Sequence, residues 1–209
     1  MRSIPTRTRA RPGAGDEQNR HDDSIPTRTR ARLRETALDL FHRHGYAQTS
    51  VTQIARAAGV SHMTFFRHFP TKESVVVGDL FDPLIAAAAA AQPEELPPLE
   101  RAVRGLLAAL DDPAAEAELG SQEFRERIEL IAATDSLRSA AWASGQATRD
   151  AIREALTTQD TRPREACVAA GAVIGAATSL LLAWADEPAD EPAIQALREG
   201  LELLLGEAR

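Results

Sequence analysis

Cysteine is almost missing from this chain: Cys167 stands alone, which excludes an intramolecular disulfide and fits a reducing compartment. A small sulfur side chain of this kind is expected to fill core space. All five histidines, at 21, 42, 44, 62 and 68, fall in the N-terminal third. The remainder therefore has neither the His and Cys clusters of a transition-metal sensor nor the makings of a Ser-His-Asp set. A Gly-rich phosphate loop and an HExxH motif are absent too. These gaps argue against an enzyme and give no metal or cofactor to look for. His42 and His44 read as solvated. Alternating strand patterns are missing, so the fold class is all-α.

No apolar run of the secretory kind occupies the Arg-rich N-terminal stretch, so the expected location is cytoplasmic. The segment 166–185 is uncharged for twenty residues, long enough for a membrane span. It is mostly Ala, Gly, Ser and Thr, without a basic flank or aromatic belt, and is read as a helix of the fold rather than a membrane helix.

The 209 residues carry a formal net charge of -7, unevenly spread. Residues 1–34 hold nine Arg against four acids, a net of +5, which leaves 15 basic and 27 acidic residues and a net of -12 elsewhere. A basic end on an acidic body points to a polyanionic partner at that end. The words SIPTRTRAR occur twice, at 3–11 and 24–32, as a local duplication. The polar, Gly-containing spacer between them has no apolar face, so residues 1–26 are expected to form a disordered Arg-rich arm, either a solvated tail or a strap along phosphates.

The stretch SVTQIARAAGVSHMTFFRHFPTK, residues 50–72, carries the most specific pattern. Ser50 with Gln53 makes a capping box, and Val51, Ile54, Ala55 and Ala58 share one face. Gly59 suits a left-handed helix end, Val60 plugs the turn, and Ser61 caps a second helix whose Phe65 and Phe69 face inward. Two short helices at such a turn form a helix-turn-helix, whose second helix enters the major groove. A preceding helix over 27–44, with Leu33, Ala37, Leu40 and Phe41 at helical spacing and Gly45 at its end, completes a three-helix domain at 27–73. Tyr46 packs back on it.

On the words LFHRHGY, TSVTQIARAAGVS and TFFRHFPTKES, the first fifty or so residues after Arg28 closely resemble the TetR family of bacterial transcriptional repressors. The wording TFFRHFPTKESVVVGD further looks like an actinobacterial subgroup that includes mycofactocin-linked regulators, some of which bind acyl-CoA. The resemblance implies a DNA-binding regulator that leaves a palindromic operator when a small effector occupies its body. Base reading is assigned to His62, Met63, Thr64 and Arg67, with Thr52 beside them. Phosphate holding falls to Thr49, Ser50, Ser61, His68 and Lys72, the chain's single lysine and a position where the family carries one. Phe66 stands where relatives usually have a phosphate-bonding Tyr; it keeps the ring and lacks the hydroxyl.

Thr71 should cap a fourth helix that runs on past Leu80, kinked at Pro83. Beyond the Pro-rich 93–98 linker, five amphipathic helices are expected near 99–110, 114–133, 136–157, 163–186 and 191–205, about nine helices in all. Residues 74–209 would bind the effector and dimerise. Phe81, Leu106, Leu110, Phe124, Ile128, Ile131 and Trp142 are candidate effector contacts, each with core packing as its ordinary alternative, and Arg125, Arg149 and Arg153 are candidate counter-charges to an anionic ligand, with exposed helix charges as their ordinary reading. In the family the last two helices pair across a two-fold axis. Gly171, Gly175 and Ser179, with Leu182, Trp184, Leu201, Leu204 and Leu205, fit that homodimer face or packing within one chain. The partners implied are double-stranded operator DNA, a second copy, and a largely apolar effector such as acyl-CoA or another amphipathic ligand. A ligand-independent DNA-binding or interaction protein with a fully packed body is the alternative.

Overall fold

The computed structural model describes residues 24–78, 84–158, 161–187 and 191–206. The first copy of the repeat, Phe81 and Pro83 lie outside them. Twelve α-helices and a closing 3₁₀ turn make up the described residues, and no strand occurs among them.

Three helices build the N-terminal domain: α1 (Ser24–His44), α2 (Val51–Ala57) and α3 (His62–His68). The first begins three residues earlier than expected, so the second repeat copy supplies its opening turns. Leu33, Ala37, Leu38 and Phe41 from α1 meet Ile54, Ala55, Phe65 and Phe69 in a closed core. Each large apolar side chain buried there contributes about 1.5–3 kcal/mol.

The next helix, α4 (Glu73–Val77), is much shorter than expected. Thr71 Oγ1 accepts the Ser74 N–H at 3.1 Å, and the Ser74 hydroxyl accepts the Thr71 N–H at the same distance, so Thr71 does cap it. Its far end stops at Gly78, in extended conformation, short of the expected run past Leu80, and the expected kink at Pro83 lies outside the described residues. Two arginines take over the carbonyls that a continuing helix would have used. Arg34 Nε donates to Val75 O at 3.2 Å, while Arg127 donates from Nε to Val76 O at 2.8 Å and from its terminal nitrogen to Gly78 O at 2.6 Å. Orphan C-terminal carbonyls need such partners, and cations suit the negative end of the helix.

The body consists of α5 (Leu84–Ala90), α6 (Pro98–Ala109), α7 (Pro113–Leu119), α8 (Gln122–Ala133), α9 (Asp135–Ser144), α10 (Gln146–Leu156), α11 (Pro163–Trp184) and α12 (Ala193–Glu202). Two expected helices are split. Ser121 caps α8 by accepting the Phe124 N–H at 3.1 Å, which ends α7 at Gly120, and Gly145 divides α9 from α10. The central element is α11, which packs on α6, α8, α9, α10 and α12. It is long and apolar enough to cross a membrane by length and composition. Within the fold, Ala169, Val173, Ile174, Ala177 and Leu181 bury its inner side. Cys167 corrects its expectation as a core residue, because α11 turns it to the exposed side.

Candidate nucleic-acid interface and effector cavity

Capping chemistry fixes the two helices of the turn. Ser50 Oγ accepts the Gln53 N–H while the Gln53 side chain accepts the Ser50 N–H at 2.7 Å. Ser61 Oγ accepts the Thr64 N–H at 3.0 Å, and the two hydroxyls bond each other at 2.9 Å. Between the helices Gly59 adopts a φ of 66°, a left-handed conformation that any side chain would strain. With Phe65 fully buried beneath, the exposed stripe of α3 is His62, Met63, Phe66 and Arg67. Met63 is 78% exposed and, with the 39% exposed Phe66, gives this face its apolar area. Phe66 packs edge-on against His62 with ring centroids 4.8 Å apart. Thr52 stands exposed on α2, and so does Arg56, which the sequence reading missed.

Four of the expected DNA contacts are committed elsewhere or half covered. Thr49 is 2% exposed, and its hydroxyl donates to Gly45 O at 2.9 Å and Leu40 O at 3.3 Å, so it ties down the end of α1 rather than holding phosphate. Lys72 turns inward. Its Nζ donates to Tyr46 O at 2.9 Å and Thr49 O at 3.1 Å and lies 4.0 Å from the Tyr46 ring centroid, which makes it a clamp on the turn before α2. The Thr64 hydroxyl, half-buried, is spent on Ser61. His68 is half-buried too, with Nε2 closed off from water and without a partner. Burial and then the charges of Arg67 and Arg30 lower its pKa below the ordinary histidine value, so it offers DNA no cation at neutral pH.

The same clamp holds an acid pair of groups. Tyr46 donates to Glu73 at 2.8 Å, and burial followed by that bond and the nearby carboxylate push its hydroxyl far above the usual tyrosine range. Burial works against the Glu73 carboxylate, yet hydrogen bonds from its own backbone N–H, Tyr46 and Thr71, with the Lys72 charge, hold its pKa below the usual carboxylate value. Arg30, whose guanidinium lies 4.3 Å from the Phe69 ring centroid and donates to His68 O, closes the other side of the domain.

In the body, a cavity of about 500 Å³ opens between α5, α6, α7, α8, α11 and α12. Leu106, Leu110 and Phe124 line it as expected. Ile128 and Ile131 do not; they are buried in the core beneath α8. Trp142, 43% exposed, lies on α9 away from the lining, where a Cβ on Gly175 would sit 3.8 Å from its ring. The named arginines lie outside the lining, and each is engaged with other groups. Arg125 stacks 4.0 Å from the Trp184 ring centroid, Arg149 bonds Gln146, and Arg153 bonds Asp150.

Several members of the expected dimer face are consumed inside the chain. Trp184 is 3% exposed, donates to Glu191 O at 2.8 Å and packs on Phe124, and Leu201 is fully buried. Both belong to the core, because α12 folds back on α11 where Gly200 leaves no room beside Leu180. Gly175 faces Trp142 rather than open solvent. Gly171 and Ser179 stay exposed, Leu182, Leu204 and Leu205 are half-buried, and Val168 and Leu203 add apolar area that the sequence reading did not name, at 69% and 60% exposure.

Comparison with known proteins supplies the frame for these sites. The pattern of "Bacterial regulatory proteins, tetR family" matches residues 33–77, and that of the "MftR C-terminal domain" matches residues 96–208. Over 47 residues the chain is 40% identical to a "Putative mycofactocin biosynthesis transcriptional regulator" of Mycobacterium tuberculosis, covering 22% of this chain and 24% of that one. Over 71 residues it is 41% identical to the "HTH-type transcriptional regulator TcmR" of Streptomyces glaucescens, covering 33% and 31% respectively. The matched segment thus spans about a quarter to a third of these relatives. Among solved structures, NalD of Pseudomonas aeruginosa, titled the secondary repressor of a multidrug efflux pump, shares the fold with a TM-score of 0.53 at 22% identity, over 89% of this chain and 97% of that one.

Proposed function

We propose that this chain, which belongs to the TetR family of bacterial regulatory proteins and carries the MftR type of C-terminal domain, is a transcriptional repressor that binds a palindromic operator as a homodimer and is released by a small effector. The observation that carries the reading is the exposed stripe of His62, Met63, Phe66 and Arg67 on a helix whose ends and inner face are already satisfied. Arg67 is the natural guanine reader through its forked donors, Met63 suits a thymine methyl, and Thr52 and His62 flank them. Ser50 and Ser61 present their helix starts to phosphate, and Phe66 supplies a ring contact.

One such domain reads half a site. Two recognition helices about 34 Å apart need a second copy, for which the exposed residues of α11 and the apolar turn at 203–205 are the available face. The cavity of about 500 Å³ favours an effector-responsive protein over one with a fully packed body. Action on DNA implies a cytoplasmic location, and turnover forms no part of the reading. The test is sequencing of genomic fragments retained by the purified protein. A recovered inverted repeat with half-sites one helical turn apart is expected; retention without any shared motif sinks the reading.

A further inference from the structure

Two arginines of the body are buried to the same degree, Arg101 and Arg127, each 1% exposed. Arg127 spends its donors on Val76 O, Gly78 O and Glu118. Arg101 spends none of its own. Its Nε and one terminal nitrogen are shut off from water without a partner, and among the described residues its side chain makes no hydrogen bond or ion pair. The acids nearest in sequence are engaged or turned away: Glu100 pairs with Arg104 at 2.7 Å, and Glu94 and Glu95 stand exposed on the loop before α6. A guanidinium keeps its charge in proteins, and a buried charge without a counter-charge works against the fold that holds it.

Arg101 sits at the start of α6, where its backbone N–H donates to Pro97 O at 3.0 Å. One turn further along, Gly105 closes α6 onto α5, and a Cβ there would lie 2.5 Å from the Ala89 backbone. The effector cavity begins beyond that contact, at Leu106 on α6 and Ala88 on α5, so it is separate from Arg101. In the other direction, a helical side chain leans over the turn N-terminal to it, which for Arg101 is the turn of Pro97 and Pro98. That turn walls a second, open groove of about 760 Å³ between the starts of α6 and α11, lined also by Leu99, Arg162, Arg164 and Val168.

The groove favours negative charge. Both helices, of 12 and 22 residues, begin without a side-chain cap, at Pro97 and Arg162, which leaves first-turn N–H groups for water or a ligand. Such helix starts are positive and bind anions. Arg162 and Arg164 add two cations to the lining against one acid, Glu165, whose carboxylate already accepts from Arg162 Nε at 2.9 Å. An oxyanion here would exchange water for N–H groups and guanidinium forks, which suit paired oxygens, and it would supply the counter-charge that Arg101 lacks.

We infer that the starts of α6 and α11 form a second ligand site, apart from the effector cavity, which takes one oxyanion group, a carboxylate or a phosphate, with Arg101 as its buried counter-charge and Arg162 and Arg164 at its rim. Inorganic phosphate and acetate are the probes. Each is titrated into the full chain at pH 7.5 with chloride holding the ionic strength constant, and the melting temperature is followed. Against chloride, the wild type should show a saturable rise with at least one probe, about 4 °C at a tenfold excess over its Kd. The probe that saturates first tells phosphate from carboxylate.

Arg101→Met should melt higher than the wild type in chloride alone, because an unpaired buried charge has been replaced at similar volume, and should lose the saturable rise. Arg101→Lys, which keeps the charge without the fork, should bind the same probe at least fivefold more weakly. Arg104→Gln, exposed on the same helix, should respond as the wild type does. Circular dichroism confirms that each variant is folded. No saturable rise in the wild type overturns the inference, and so does a rise that Arg101→Met retains or a Kd that Arg101→Lys leaves unchanged. An Arg101→Met protein that melts below the wild type in chloride would show that Arg101 has its partner within the chain, and would overturn it as well.

Discussion

The DNA-binding end and the body solve the same packing problem at different ranges. In the turn of the first, residues three apart decide the outcome: Ser50 with Gln53 and Ser61 with Thr64, on either side of Gly59. In the body, distant partners decide it: Arg127 reaches Val76, Gly200 admits Leu180, and Gly105 admits Ala89. The first region is closed around a small core and exposes a mixed stripe of His62, Met63, Phe66 and Arg67. The second leaves apolar space inside. One region is filled and the other hollow, and the joint between them is α4.

That joint gives the largest expected effect. Arg127→Met would leave the buried Val76 O without its donor and Gly78 O with only the long bond from Arg34 at 3.5 Å. Each hydrogen bond from a charged group is worth about 1.5–3 kcal/mol, so a loss of about 3 kcal/mol in urea unfolding is expected. A loss below about 1 kcal/mol would mean that α4 is held by its apolar contacts instead. Glu118→Gln, which removes only a half-exposed pair at 3.4 Å, should change stability by less than about 1 kcal/mol.

Reading and holding on the DNA side separate next. Arg67→Ala should weaken operator binding by about 1–3 kcal/mol and relax one base pair per half-site. Lys72→Met should leave the salt dependence of DNA binding unchanged and cost stability instead, about 1 kcal/mol, because its ammonium bonds Tyr46 O and Thr49 O. Competition titrations against operator and random DNA at two salt concentrations check both. A shallower salt slope for Lys72→Met would restore it as a phosphate contact.

What was legible in the sequence follows the same division. Caps, the left-handed Gly59 and the inward Phe65 and Phe69 announce themselves within a few residues, so the helix-turn-helix was readable. Thr49 and Lys72 were misplaced because a hydroxyl and an ammonium look the same in sequence whether they face phosphate or a carbonyl. Only the tertiary placement of the Leu40, Gly45, Tyr46 and Thr49 carbonyls decides it. Trp184 and Leu201 were likewise apolar residues on a plausible face, and the fold-back of α12 chose the inner side for them. Arg127 carried no local signal at all: its partners lie about fifty residues away. The breaks at Gly120–Ser121 and Gly145 did carry one, a glycine with or without a following cap, which amphipathic spacing across them obscured.

The turn between the two DNA-side helices tests the short-range half of the comparison. A Cβ at Gly59 would meet nothing within 4 Å, so Gly59→Ala introduces no clash. Its φ of 66° is the whole cost, about 1–2 kcal/mol for an L-residue in the left-handed region. Melting should show this with operator preference intact. An unchanged melting temperature would mean that the turn relaxes to another conformation.

The smallest effect expected is on pH. His68 has its pKa lowered in the folded chain, first by burial and then by Arg67 and Arg30, while an unfolded histidine titrates near the ordinary 6.5. The folded state therefore prefers the neutral ring, and protons bind more readily to the unfolded chain. The stability this contributes is complete above about pH 6.5 and is lost as pH falls through that value toward the lower folded pKa. Between pH 7.5 and 5.5 the melting temperature of the wild type should fall more than that of His68→Leu, whose apolar side chain can occupy the same half-buried place. At pH 7.5 the two should show the same salt dependence on DNA, since a neutral ring releases no counterion. A His68→Leu protein that follows the wild-type pH profile would assign the acid sensitivity to another group, and one with a shallower salt slope would return His68 to the phosphate contacts.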